Sequence, residues 1–312
     1  MIKLPKTLVT SLVLIALALM PVFLNNYQMS LMTLILVYAL LAMSVDILAG
    51  YAGRTPLCHG ALFGCGAYSV MYVVTVSGGS PWMGALIALA VVLLVSLIFA
   101  LLAVRTSGVY FLLLTLALGM IVWGVCQRWT SVSGGENGLR GAIRPEWLLD
   151  PVRFYYFVLC VASVLSYLMY KFVCSPFGLS LKGIRESESR MQSLGYNTTL
   201  HLTIGFCFSG LMAGMSGILY AFLNSFVSPT TVSLSQSVKG LLMAIIGGIG
   251  TLFGGVVGAA LIIVLENLVS SVTERWSMVL GAIFVLTMIF VPSGLLGKFN
   301  SLMNKESDQK AH

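Results

Sequence analysis

Trp82-Met83-Gly84-Ala85-Leu86-Ile87-Ala88-Leu89-Ala90-Val91-Val92-Leu93-Leu94-Val95-Ser96-Leu97-Ile98-Phe99-Ala100-Leu101-Leu102-Ala103-Val104 is a run of twenty-three residues without a charge, closed by Arg105. At 1.5 Å per residue a helix of that length reaches about 35 Å, enough to cross the ~30 Å hydrocarbon core of a bilayer. Comparable runs flank it at 60–77 and 108–127, and others follow outward at 29–49, 154–173 and 201–223. The chain of 312 residues is 58% hydrophobic and only 9% charged, against about 25% charged in soluble proteins. No polar stretch exceeds about thirty residues, so no soluble domain is appended. Residues 1–312 read as one all-α, polytopic membrane domain.

The ends and the last third set the span count. Lys3 and Lys6 precede an apolar run at 8–24, which is expected to be retained as a signal anchor. Residues 237–271 form one apolar stretch interrupted by Gly247-Gly248-Ile249-Gly250-Thr251 and Gly254-Gly255, and a last run lies at 278–296. Basic residues at both ends place both termini in the cytoplasm. The count must then be even, so 237–271 is expected to hold two passes turning at its glycines, ten in all. Two loops stand out by length, 128–153 on the outer side and 174–200 on the cytoplasmic side. The remaining connections are expected to be tight turns.

The formal charge of +7 is scattered singly at the ends of apolar runs, which fits topology signals and excludes a nucleic-acid surface. The six cysteines show no C-x-x-C and read as small packing residues. No G-x-x-x-x-G-K-[ST] motif is present, so the chain carries no nucleotide site of its own. His59, His201 and His312 have no metal-ligand spacing, and no catalytic triad is readable. Asp46 and Glu266 lie inside spans, where ionisable groups normally mark function. Both fall close enough to an interface to be solvated, and neither has an obvious partner in sequence.

The inner loop carries a helix-compatible stretch. Ser175-Pro176-Phe177-Gly178 ends the preceding span, since proline cannot continue a helix and Gly178 is expected to relax the turn. From Ser180 to Leu194 the spacing predicts one amphipathic helix with Leu181, Ile184, Glu188, Met191 and Leu194 on one face, closed by Gly195. Two readings stand at this point. Either the helix rests on the lipid surface with Glu188 paired to Arg185, or it seats in a groove on a cytoplasmic partner.

Several blocks then occur in one order. They are Gly50-Tyr51-Ala52-Gly53 with His59 and Gly64-Cys65-Gly66-Ala67-Tyr68, then Gly108-Val109-Tyr110-Phe111 with Thr115-Leu116-Ala117, then Gly134-Gly135-Glu136-Asn137-Gly138-Leu139. Ser175-Pro176-Phe177-Gly178 leads to Ile184-Arg185-Glu186-Ser187-Glu188 and Leu194-Gly195-Tyr196-Asn197. Gly247-Gly248-Ile249-Gly250-Thr251, Gly258-Ala259-Ala260 and Pro292-Ser293-Gly294-Leu295 complete the set. In this order and spacing the chain resembles the M-type membrane subunits of bacterial branched-chain amino acid importers of the ATP-binding-cassette class.

The resemblance implies a sister permease, two ATP-binding subunits, a periplasmic or lipid-anchored solute-binding protein and a bacterial inner-membrane location. ATP would be used by the partner subunits, with no cofactor held by this chain. It implies that the loop at 174–200 is the coupling element, with Arg185, Glu186, Glu188, Leu194 and Gly195 engaging an ATPase. Gly50, Gly53, His59, Gly66, Tyr110, Thr115, Gly247, Gly248 and Gly250 would serve the path or helix packing, the glycines by close contact. Gly134, Gly135, Glu136 and Asn137 would meet the binding protein.

The chain departs from the family pattern after Gly53. Arg54-Thr55-Pro56-Leu57-Cys58-His59 stands where relatives read close to Q-L-S-L-G-H, Met120 stands where many carry a glutamate or glutamine, and Arg190-Met191 replaces a small pair. These departures keep urea and short amides in view as alternative solutes. A stand-alone channel or an ion-coupled carrier is the reading from another class.

Overall fold

The computed structural model describes residues 16–22, 24–141, 144–271, 278, 281 and 282. The expected span at 8–24 is therefore described only from residue 16, and the span at 278–296, the basic carboxyl-terminal tail and the block at 292–295 lie outside the described residues apart from the three positions named.

The described chain is almost entirely helical. Helix α1 spans Asn26–Asp46 and runs on through a π-helical turn, Ile47–Tyr51. It is followed by α2 (His59–Thr75), α3 (Pro81–Ala103), α4 (Gly108–Arg128), α5 (Pro151–Cys174), α6 (Pro176–Glu186), α7 (Glu188–Ser193), α8 (Thr198–Asn224), α9 (Leu234–Gly247) and α10 (Gly254–Ser270). Starts are chemically marked: Ser80 accepts from Met83 N at the start of α3 and Asp150 from Val152 N at the start of α5, each with proline in the first turn, where its missing N–H is not needed.

Among the described residues, five elements are long and apolar enough to cross a membrane: Asn26–Tyr51, α3, α4, α5 and α8. The expected two-helix division of 237–271 is present as α9 and α10. With 14 residues, α9 reaches only about 21 Å, less than a full crossing. The α1 element is 83% buried and α4 only 22%, so α1 and α8 form the interior while α3, α4 and α5 leave most of their apolar surface uncovered. Interior helices approach closely at small residues: a Cβ on Gly66 or Gly217 would overlap the backbone of Gly214 or Phe63. That is how helices pack where lipid offers no hydrophobic driving force.

Two connections expected as tight turns are instead irregular segments that enter the bundle. Residues 52–58 run beside α4, where Leu57 N donates to Thr115 Oγ1 at 3.1 Å. They deliver α2 inside the bundle, with Gly60 N donating to Ser237 Oγ at 2.9 Å. From the other end, residues 225–233 pass through strand β2 (Phe226–Val227) and a 3-10 turn, Pro229–Val232, that packs Val232 on Gly64. β2 pairs antiparallel with β1 (Leu139–Arg140), Leu139 opposite Val227. Non-helical backbone at membrane depth is tolerated only when protein buries it and satisfies its polar groups; the Thr115 hydroxyl does so for Leu57, and β1 does so for Phe226–Val227.

Candidate functional site

The inner loop, 174–200, is two helices rather than one. Ser175 accepts from Gly178 N at 3.3 Å, so Pro176 begins a new helix and Gly178 lies within its first turn instead of relaxing the chain. At Ser187 the backbone is extended (φ −162°, ψ 103°) and its side chain caps α7 at Arg190 N. The capping serine with Glu188 in the next first turn outweighs the continuous periodicity. Met191 then folds back against Gly183. Gly195 closes α7 at φ +86°, with Tyr196 N donating to Met191 O at 3.1 Å, the expected glycine C-cap.

The break redirects the loop's charges. Leu181 and Ile184 stay buried, but Leu194 is 67% exposed and Glu188 leaves the apolar face. Glu188 does not pair with Arg185. It meets Arg54 at 2.7 Å and accepts from Thr198 Oγ1 at 3.3 Å. Arg54, with its side chain 8% exposed, also donates to the Thr106 carbonyl just before α4 and lies 5.8 Å from the Phe111 ring centroid. One guanidinium thus joins α7, the irregular segment 52–58 and the start of α4. Arg185 instead donates to the carbonyl of Gly50, and Glu186 faces outward.

Asp46 is the second correction. It is 1% exposed, and it accepts from Gly250 N at 2.6 Å and Leu252 N at 2.9 Å. It holds the α9–α10 turn rather than sitting solvated at an interface. Gly50 has no room for a side chain because Asp46 Oδ1 and the Gly250 backbone occupy the space. Gly248 (φ +116°) and Gly250 (φ +82°) turn the chain in a region that favours glycine. For Gly248 the backbone conformation itself requires glycine. Close packing belongs to Gly247 against Gly254 and to Gly258 against the Met243 carbonyl.

Other sequence-predicted residues divide. His59 is fully buried, with Nε2 2.7 Å from Ser209 Oγ. Ser209 donates its only hydroxyl hydrogen to the Ser44 carbonyl, so it accepts from His59 Nε2–H, and Nδ1 is left without a partner. Thr115 receives the irregular segment, and Gly53 lies at φ +68° beside Arg185. Gly66 serves helix packing. Tyr110 is 76% exposed and joins none of these groups.

In the 128–153 loop, Gly134, Gly135 and Gly138 all have positive φ. They hold Glu136 and Asn137 outward, with Gln127 donating to Glu136 at 3.2 Å. Arg144 anchors the loop: it donates to the carbonyls of Phe222 and Leu223 at the end of α8 and lies over the Phe154 ring at 4.2 Å. Burial lowers its pKa from the usual arginine value.

One group escaped the sequence. Glu266 pairs with Lys239, whose ammonium lies 4.5 Å from the Tyr38 ring centroid. Gln236 donates to the Tyr38 hydroxyl at 2.9 Å, and Tyr220 packs edge-on to Tyr38. Lys239, in the interrupted apolar stretch 237–271, therefore lies against the middle of α1. Among the described residues no group of His, Cys, Asp and Glu could hold a metal ion.

Residues 27–288 match the family described as branched-chain amino acid transport system / permease component. The high-affinity branched-chain amino acid transport system permease protein LivM of Salmonella typhimurium is 26% identical over 97% of this chain and 78% of its own length. LivM of Escherichia coli is 26% identical over 88% of the chain and 71% of its own. LivH of Salmonella typhimurium is 27% identical over 40% of the chain and 41% of its own. No solved structure matches at a significant level. With a match that runs from the first turn of α1 past the end of α10, the chain belongs to the permease-component family of the branched-chain amino acid transport system.

Proposed function

We propose that this chain is the transmembrane permease subunit of an ATP-binding-cassette importer that carries branched-chain amino acids delivered by a solute-binding protein. The observation that carries the reading is the family match over residues 27–288. The chain sits in a bacterial cytoplasmic membrane with both termini inside, beside a LivH-like sister permease, and two ATP-binding subunits hydrolyse ATP on its behalf.

The loop at 174–200 is the coupling element. Its outward side chains, Glu186, Arg190, Leu194 and Tyr196, are free to meet an ATPase, and its inward ones are tied to the bundle. Arg185 pulls on Gly50 beside the α9–α10 turn, and Glu188 pulls through Arg54 on segment 52–58 and α4. Closure of the ATPase pair would move both at once. At the other end of α8, the glycine-shaped loop presenting Glu136 and Asn137 receives the binding protein.

Purification of the tagged chain in gentle detergent, with its companions identified, tests this. The expected outcome is a second permease and an ATPase pair, with leucine, isoleucine or valine uptake that stops when ATP is depleted. A homo-oligomer whose uptake survives ATP depletion would replace the reading with a channel or a gradient-driven carrier.

A further inference from the structure

The Lys239–Glu266 pair sits where charges are rare. Tyr38, whose ring Lys239 covers, is the thirteenth of the 26 residues from Asn26 to Tyr51, so the ammonium lies within the span. Glu266 reaches it from nearer the outer end, beside Asn267, which donates to the Tyr27 hydroxyl in the first turn of α1. Lys239 belongs to α9, whose first turn lies within the bundle, and Glu266 belongs to α10. Yet the pair is not sealed: the two side chains are 21% and 23% exposed. A charged pair open to hydrocarbon at that depth is strongly disfavoured, and intramembrane ionisable groups face a bundle interior or a wet cavity. The opening between α1, α9 and α10 is therefore a surface met by water or by another protein and not by lipid tails.

The chemistry open there is one cation and one anion, with Tyr38 and Gln236 buried behind them and bonded to each other. An amino acid with an apolar side chain carries an ammonium and a carboxylate on one carbon, and crossing a purely apolar wall strips the water from both. Lys239 can take the carboxylate, and Glu266 the ammonium. When no substrate is present the two residues neutralise each other, so the site can release what it accepts.

We propose that Lys239 and Glu266 form an intramembrane subsite for the α-carboxylate and α-ammonium of a zwitterionic amino acid. The α1–α9–α10 face then lines the translocation path. This rests on the amino-acid importer reading above.

The test uses the complete importer in liposomes with its binding protein, measuring labelled leucine taken up per ATP hydrolysed. The wild-type complex tests the importer reading itself: if it moves no branched-chain amino acid, that reading fails whatever the variants do. Given wild-type uptake, Lys239→Gln and Glu266→Gln are each expected to lower uptake per ATP at least tenfold. The exchange Lys239→Glu with Glu266→Lys keeps an ion pair between α9 and α10, so it controls for folding. It is expected to restore complex assembly wherever a single variant loses it, and to leave uptake per ATP at least tenfold down. Wild-type uptake per ATP by the exchanged variant, or by the doubly neutral Lys239→Gln/Glu266→Gln, would reduce the pair to a staple between helices and overturn the proposal.

Discussion

Single charged residues carry the links in this molecule, and each has its partner far away in sequence. Arg54 meets Glu188 across 134 positions, and Asp46 meets Gly250 across 204. Hydropathy and helical spacing are blind to such pairings, so Asp46 and Glu266 looked partnerless and Glu188 looked local. One register was recoverable. If the hairpin is folded on Gly247 and Gly254, Lys239 falls opposite Ile262, one helical turn from Glu266. Removing one member of a buried ion pair strands the other, at about 3–5 kcal/mol when burial is complete. Glu188 is about a third exposed, so the lower end applies. Glu188→Lys is expected to leave the protein in the membrane but uncouple ATP hydrolysis from uptake. The exchange Arg54→Glu with Glu188→Arg should recover part of the coupling; normal uptake per ATP by Glu188→Lys alone would remove Glu188 from the linkage. Asp46→Ala leaves two N–H groups unpaired, at roughly 1–3 kcal/mol each. A fall in the complex's Tm and looser hydrogen exchange confined to 248–252 would confirm that Asp46 holds the turn.

Elements were legible where hydrophobicity ends abruptly, and less so where two local signals compete. The spans expected at 82–104, 108–127 and 154–173 agree with α3, α4 and α5 to within three residues at each end. The apolar spacing of the inner loop runs through Ser187 and by itself predicts one helix. Yet Ser187 followed by Glu188 is itself an N-cap signal, and in the structure the cap prevails. Ser187→Ala should cost about 1 kcal/mol, read as faster hydrogen exchange at Arg190 and Met191. If α7 stays equally protected, the cap is not what breaks the helix. At the α9–α10 turn, Gly248→Ala should be destabilising by about 1–2 kcal/mol, because a side chain there is forced into a left-handed backbone. Gly247→Val should fail for a different reason, overlap with the Gly254 carbonyl. If the two variants showed equal loss that a Gly254 substitution deepened in both, the distinction between conformation and packing would be wrong.

For the molecule as a whole, sequence conveyed a helical membrane domain and its family resemblance, and it missed the two irregular segments. Nothing in the hydropathy of 52–58 or 225–233 says that they enter the bundle; what holds them is distant in sequence, the Thr115 hydroxyl that receives Leu57 and the strand β1 that pairs with Phe226–Val227. Loops 128–153 and 174–200 lie at opposite ends of α8, so they should face opposite sides of the membrane. Single cysteines at Asn137 and Arg190, in a chain whose six cysteines are replaced, should react with an impermeant thiol reagent from the outside and the inside respectively. Labelling of both from one side would refute the topology. The bond between Gly60 and Ser237 also has a consequence in time. The ribosome makes Ser237 177 residues after Gly60, about 10–35 s later at ordinary rates of synthesis. Until then the start of α2 has entered the membrane without the hydroxyl that receives it, so the first half of this chain waits, unfinished, for a residue not yet made.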